Sequence, residues 1–334
     1  MKKALFTLGL MLTAVIAFAQ DTPLQISGSA DVYYKYDFAK TANIPTSFAT
    51  DQNSVSLGML DIAVKKTTGK TSFVGEISFG PRGQFQSIPN GDGTDLNSFH
   101  IQNLYATYAA TDKLSFTAGY MGTFIGYEVI SPLANFHYST SYLFTNGPFQ
   151  NAGVKLNYAI SDKIGIMVGA FNDAWNSYKA NPIKGLNAFG AQLSFAPVEG
   201  VSAYLNFMDG SVSGTIVDLT ASFQLSEKFK LGLNAADFSN DGDVGYTGVA
   251  LYPGYEVSDK FGLGLRGEYF KFKQGSGDTS LTALTLSANL KSGGLTFIPE
   301  LRLDNNADKV LFVDAALAQA TLASQFSLAV VYGF

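Results

Sequence analysis

Residues 24–38 read Leu-Gln-Ile-Ser-Gly-Ser-Ala-Asp-Val-Tyr-Tyr-Lys-Tyr-Asp-Phe. The even positions are Leu24, Ile26, Gly28, Ala30, Val32, Tyr34, Tyr36 and Phe38; the odd ones are Gln25, Ser27, Ser29, Asp31, Tyr33, Lys35 and Asp37. Side chains of a strand alternate between two faces, so this stretch is one long strand with an apolar and a polar face. Ordinary strands run about 5–6 residues. A tilted strand that crosses a bilayer needs about 9–11.

The same pattern recurs along the chain. Val201, Ala203, Leu205 and Phe207 alternate with Ser202, Tyr204 and Asn206, and Val217, Leu219, Ala221, Phe223 and Leu225 with Asp218, Thr220, Ser222 and Gln224. The strand at 53–66 changes phase near Met59-Leu60, which predicts a bulge. Four short polar turns repeat one motif: Thr111-Asp112-Lys113, Ser161-Asp162-Lys163, Ser226-Glu227-Lys228 and Ser258-Asp259-Lys260. Longer Gly/Asn/Asp-rich segments, such as 39–52, 83–97, 122–149 and 174–184, fall between them. The expected strands are about 24–38, 53–66, 71–82, 98–110, 114–122, 150–160, 164–173, 186–196, 200–208, 214–225, 229–238, 245–257, 261–272, 280–290, 295–303 and 321–334. That makes sixteen, with seven short turns and eight longer loops. The stretches 245–257 and 304–320 leave fourteen or eighteen as alternatives. Short turns at one end and long loops at the other describe an all-β, closed antiparallel transmembrane barrel, with periplasmic turns and extracellular loops.

Composition agrees. Of 334 residues, 15% are charged and 13% aromatic, whereas soluble chains carry about 25% charge. A net charge of −5 lacks the basic surplus of a nucleic-acid binder. There is no Cys, which excludes disulfides, thiolate metal sites and a cysteine nucleophile. Lys2 and Lys3 precede an apolar stretch from Ala4 to Ala17, and Ala17-Phe18-Ala19 follows. A basic start, an apolar run and small-x-small form a secretory leader, here 1–19, cleaved between Ala19 and Gln20. A buried N-terminal helix is the alternative. No later run of about 18 apolar residues follows, so residues 20–334 are expected to form the barrel without a spanning helix.

Closure follows from hydrogen bonding. An open sheet edge in hydrocarbon would leave backbone groups unpaired. A sixteen-stranded barrel is too wide for its own side chains to fill, so an unplugged one encloses water. The end of the chain places Leu328, Val330, Tyr332 and Phe334 on one face. Aromatics at Tyr332 and Phe334 resemble the terminal signature of bacterial outer-membrane barrels, which the insertion machinery reads.

A family likeness runs through the middle of the chain. It rests on Gly119-Tyr120-Met121-Gly122-Thr123, Gly126-Tyr127-Glu128, Tyr138-Ser139-Thr140-Ser141-Tyr142, Gly147-Pro148-Phe149, Gly153 and Asn172-Asp173-Ala174-Trp175. Leu265-Arg266-Gly267-Glu268-Tyr269-Phe270 and Val331-Tyr332-Gly333-Phe334 add to it. These pieces resemble the OmpL-like outer-membrane β-barrel porin family, which usually carries Asn-Gly-Trp where this chain has Asn172-Asp173-Ala174-Trp175. The resemblance implies the barrel fold and a porin's role in a Gram-negative outer membrane.

Charges opposite the apolar face are the candidates for the pore wall, because a Lys or Arg facing lipid at the midplane costs about 2–4 kcal/mol. They are Asp31, Lys35, Asp37, Glu76, Arg82, Lys155, Asp218, Lys230, Arg266, Glu268, Glu300 and Arg302, six acids and six bases. Arg266/Glu268 and Glu300/Arg302 stand two apart and can pair along or across strands. The longest loop, 122–149, either folds into the lumen or stands outside. If inside, Glu128, His137, Tyr138, Ser139, Ser141 and Tyr142 are the candidate constriction groups. His100, at the start of its strand, is read as interfacial.

The expected function is passive diffusion of small hydrophilic solutes with a mild cation preference, since acids outnumber bases in the loops. An adhesive or structural barrel working through its loops is the alternative. A hydrolase needs a nucleophile and base together, and two His without a Ser or Asp motif make that reading weaker. Acidic loops 237–243 and 304–308 lack the full calcium-loop pattern, so no metal and no cofactor is expected. Expected partners are outer-membrane lipid and lipopolysaccharide, the insertion machinery and the solutes, with a homotrimer or a monomer as the assembly, and no nucleic acid.

Overall fold

The computed structural model describes residues 21–83, 88–89, 99–173, 185–275 and 277–334. The expected leader and its cleavage pair Ala19 and Gln20 lie outside the described residues, as do Ala174 and Trp175. Sixteen strands form the barrel: β1 (Gln25–Asp37), β2 (Ser54–Thr68), β3 (Thr71–Phe79), β4 (Phe99–Ala109), β5 (Leu114–Gly122), β6 (Gln150–Ser161), β7 (Ile164–Asn172), β8 (Leu186–Phe195), β9 (Val201–Gly210), β10 (Gly214–Gln224), β11 (Phe229–Asn240), β12 (Val244–Ser258), β13 (Phe261–Lys273), β14 (Thr279–Ser292), β15 (Leu295–Asn305) and β16 (Leu322–Gly333). Each pairs antiparallel with its sequence neighbours, and β1 pairs with β16, which closes the sheet. The closing ladder ends where Phe334 and Gly28 exchange backbone hydrogen bonds of 3.1 and 3.0 Å.

The repeated turn motif has a local cause. Thr111 Oγ1 accepts the amides of Lys113 and Leu114, and Ser226 Oγ accepts those of Lys228 and Phe229. Ser161 and Ser258 do the same for Lys163 and Lys260. A hydroxyl at the first position supplies the acceptor that a two-residue reversal leaves missing. The expected bulge in β2 is present. Pairing jumps from Ala30↔Leu60 to Val32↔Leu57, and Asp31 Oδ1 accepts the Met59 amide at 3.0 Å. Met59 and Asp61 thereby turn inward, both buried.

Not every connection at the long-loop end is long. Residues 211–213 and 241–243 close tightly, because β9 and β11 extend to Gly210 and Asn240, and β13 ends at Lys273 only a few residues before β14 begins at Thr279. Asp173 folds the first of these: its carboxylate accepts from Ser211 Oγ, the Val212 amide and both the amide and hydroxyl of Ser213, at 2.8–3.0 Å. Burial alone would raise its pKa, but those four donors outweigh it and hold the group below the usual carboxylate range. At the second turn Gly242 takes φ 75°, a left-handed conformation that costs Gly nothing. The stretch 304–320 ends β15 and then holds a two-residue hairpin, Phe312–Val313 with Gln319–Ala320, outside the barrel sheet.

Candidate functional site

The long loop folds inward. Residues 123–149 are tied at the base by the Thr123 amide on the Phe149 carbonyl (3.0 Å). Within the loop an α-helix, α1 (Tyr142–Asn146), is capped by Ser141, whose Oγ accepts the Phe144 amide at 3.0 Å. Asn135 braces the tip by bonding the amide and carbonyl of Val129.

A loop inside a barrel brings backbone groups away from water, and each must find a partner. Here the wall supplies them as charges. Glu268 accepts the amides of Tyr142 and Leu143 at 2.9 and 2.8 Å. Glu300 accepts those of Tyr138 and Ser139 at 3.0 and 3.2 Å. Arg266 donates to the carbonyls of Ser139 and Thr140, and Arg302 to that of Thr140. Two buried ion pairs balance the account. Arg266 meets Glu128 at 2.7 Å, and Arg302 bonds Asp304 through both Nε and Nη2, at 2.8 and 2.9 Å. Tyr142 donates to Asp304, and Tyr138 to Asp31. Such charge-assisted bonds are about twice as strong as neutral ones.

Inward glycines give the loop its seat. Tyr127 lies against Gly232 on β11, Phe136 against Gly264 on β13 and Leu133 against Gly333 on β16. A β-carbon at any of the three would overlap the loop side chain, so the smooth glycine wall lets the loop lie flat. Above it, Ile44, Tyr142, Leu143, Phe270 and Phe312 belong to one buried apolar cluster at the long-loop end. The loop at 38–53 locks over it, with the Ser47 amide on Thr145 Oγ1 and Asn43 bonded both ways to Val313.

Most of the expected wall residues therefore meet the loop and not water. Asp31, Lys35, Asp37, Asp218, Arg266, Glu268, Glu300 and Arg302 are all buried. Asp218 accepts from the Gly126 amide, Asn206 and Asn234; Asp37 accepts from the Ala39 amide. Arg82 lies beyond β3, which ends at Phe79, and its guanidinium sits over the rings of Phe48 and Tyr138 at 4.6 and 4.9 Å. Glu76 and Lys155 are half-buried on the inner face, and Lys230 is exposed near the short-turn end.

The candidate constriction groups are placed differently from the expectation. Glu128, His137, Tyr138, Ser139, Ser141 and Tyr142 are buried and form the seam between loop and wall. The loop spends its polar groups on wall charges, which leaves Gly126, Val129 and Leu133 as its exposed residues. His137 Nδ1 bonds Ser287 Oγ at 2.7 Å. Burial, and then the nearby Arg266 guanidinium, push its pKa well below the ordinary imidazole value. His100 is not interfacial: it points inward opposite Ser78 and is wholly buried. Asp304, counted with the loops, is the last inward carboxylate of β15, two residues beyond Arg302 on the same face. Asp61 was hidden by the phase change at the bulge.

Along β3, β4, β6 and β9 the inward residues Val74, Asn103, Tyr105, Thr107, Asn157 and Tyr204 are half-buried.

Solved structures with the same architecture are porins and outer-membrane proteins. The OmpF of Salmonella typhi in complex with daunomycin has a TM-score of 0.63 at 13% identity, covering 94% of this chain and 100% of that one. The trimer form of Vibrio cholerae OmpT scores 0.58 at 12% identity, covering 94% and 99%. A mutant of the Rh. blastica porin scores 0.55 at 13% identity, covering 93% and 100%. No curated protein matches the sequence. Residues 23–334 match the family model of beta-barrel porin-2, OmpL-like, and the chain belongs to that family.

Proposed function

We propose that the protein is an outer-membrane diffusion channel for small hydrophilic solutes, with its water path confined to the sector beside β3–β9. The observation that carries this is the asymmetry of the inner wall. Charges on β13, β15 and β1 are buried at the loop side, while Glu76, Asn103, Tyr105, Thr107, Asn157 and Tyr204 on β3, β4, β6 and β9 are half-buried. An eccentric, narrowed path passes less current than an open barrel of this girth.

A mild cation preference belongs to the same reading. Arg266 and Arg302 are paired with Glu128 and Asp304, and Glu268 and Glu300 are bonded to loop amides, so much of the selectivity falls to the mouth. There, among the described residues, Asp51, Asp209, Asp241, Asp278, Asp308 and Asp314 are exposed against Lys40 and Lys309. Acidic surface attracts cations within about 8–10 Å at physiological salt. Residues 1–19 act as the export leader, and the barrel assembles as a trimer or stands alone. The buried geometry disfavours a hydrolase: His137, Ser287 and Glu300 are linked by hydrogen bonds, yet all three are shut away from solvent.

The test is single-channel recording of refolded protein in a planar bilayer, with reversal potentials in a KCl gradient. A stable conductance with weak cation selectivity that fades at high salt is expected. No conductance would favour the adhesive barrel, and anion selectivity would overturn the charge argument.

A further inference from the structure

Two carboxylates meet on the uncovered wall without a base. In the β2–β3 ladder Asp61 stands opposite Ser78, and Ala63 opposite Glu76. Asp61 and Glu76 are thus diagonal neighbours on the inner face, near enough for their side chains to touch. Ser78 Oγ donates to Asp61 at 3.0 Å, and Asn103 Nδ2 donates to Glu76. Among the described residues neither carboxylate has a Lys or Arg ion-pair partner.

His100 provides an independent sign. It stands opposite Ser78 in the same inward row. It is 0% exposed, and among the described residues neither ring nitrogen has a hydrogen-bond partner. A buried side chain with two unpartnered polar atoms is rare. Tyr105, opposite Val74 on the same face, presents a half-buried ring near Glu76. Glu76 is itself half-buried, so the pair is reached from the open sector.

The chemistry selects the guest. Two carboxyl groups and an imidazole nitrogen are acceptors, and a primary ammonium brings three N–H donors and one positive charge. Its N···O contacts of about 2.7–2.9 Å are looser than the roughly 2.0–2.6 Å of a bound metal. Among the described residues no three His, Asp or Glu side chains converge tightly enough to hold a metal. We infer that Asp61 and Glu76, with His100 across Ser78 from Asp61, form a subsite for small primary ammonium cations in the wall of the passage. This assignment rests on the channel reading for its place in transport, and deepens the cation preference into a preference for amines.

The refolded barrel, its folding checked by heat-modifiable mobility, is titrated with ethylammonium chloride or tetramethylammonium chloride. Binding is read by calorimetry in detergent and by interruption of KCl current in a bilayer. Ethylammonium is expected to bind and interrupt the current, and tetramethylammonium, which has the charge but no N–H, to do neither. Glu76→Gln and Asp61→Asn each weaken ethylammonium binding at least tenfold, while Asp308→Asn at the mouth leaves it unchanged. Absence of ethylammonium binding, equal action of the two cations, or variants that bind like the wild type would overturn the subsite. So would zinc chloride binding at these carboxylates with ethylammonium silent. If the barrel carries no KCl current, the channel reading fails, and calorimetry alone still decides the subsite.

Discussion

Tyr138 donates its hydroxyl to Asp31 Oδ2 at 2.5 Å, joining residues 107 positions apart. The other oxygen of the same carboxylate holds the Met59 amide at the β2 bulge. One acid thus fixes both the strand irregularity and the inward course of the loop. Tyr138→Phe removes the loop half of this link. Leaving a buried acceptor short costs about 1–3 kcal/mol, so the loop should loosen and single-channel conductance should rise and become noisier. An unchanged trace would show that Tyr138 does not restrain the loop.

The glycine seat can be tested by filling it. Gly264→Val places a branched side chain where Phe136 lies. The loop must lift, and conductance should increase. Gly267, on the same strand, has nothing within 4 Å of a β-carbon, so Gly267→Val is expected to leave conductance as in the wild type.

Glu128→Gln acts on docking more than on selectivity. It breaks the buried pair with Arg266, and removing one partner of such a pair costs about 3–5 kcal/mol. The temperature at which the barrel loses its compact mobility in detergent gels should fall. Asp308→Asn, on an exposed loop residue, should not move it. Equal melting of the two variants would argue that the pair adds nothing.

Acidification should weaken loop docking through His137. Its pKa in the docked loop lies below the ordinary value, so between that depressed value and about 6.5 the released loop binds the extra proton. Docking therefore weakens as pH falls below about 6.5 and is insensitive to this group above it. Channel noise is expected to rise from pH 7 to pH 5, and His137→Gln should flatten the dependence.

The C-terminal residue is expected to matter more in cells than in the test tube. Phe334 supplies one backbone pair to the closing ladder and a side chain that is 52% exposed on the outer face. Deleting it should reduce outer-membrane levels strongly, while refolding into detergent, followed by heat-modifiable mobility, is little affected.

The strands and most of the inward face were legible because each is a local property; several strand ends were not. Alternation from Leu24 to Phe38 requires no knowledge of the rest of the chain, and the hydroxyl at Thr111 or Ser226 closes its turn within three residues. Even the β2 bulge showed as a change of phase at Met59-Leu60. Asp61, just past that bulge, could have been placed inward by carrying the new phase forward.

The use of the inward charges was decided by tertiary structure alone. Alternation says that Arg266 and Glu268 point into the barrel, but not whether they meet water or protein. That depends on Glu128 and Tyr142, which lie 138 and 126 residues away in sequence. A loop with little regular structure must satisfy its amides and carbonyls wherever the fold carries it. In this chain it does so on the wall charges that periodicity had assigned to the pore. The sequence by itself determined a closed barrel of about sixteen strands with a polar interior. Only the three-dimensional course of residues 123–149 decided which part of that interior stays open, because long-range hydrogen bonds and glycine contacts leave no periodic trace.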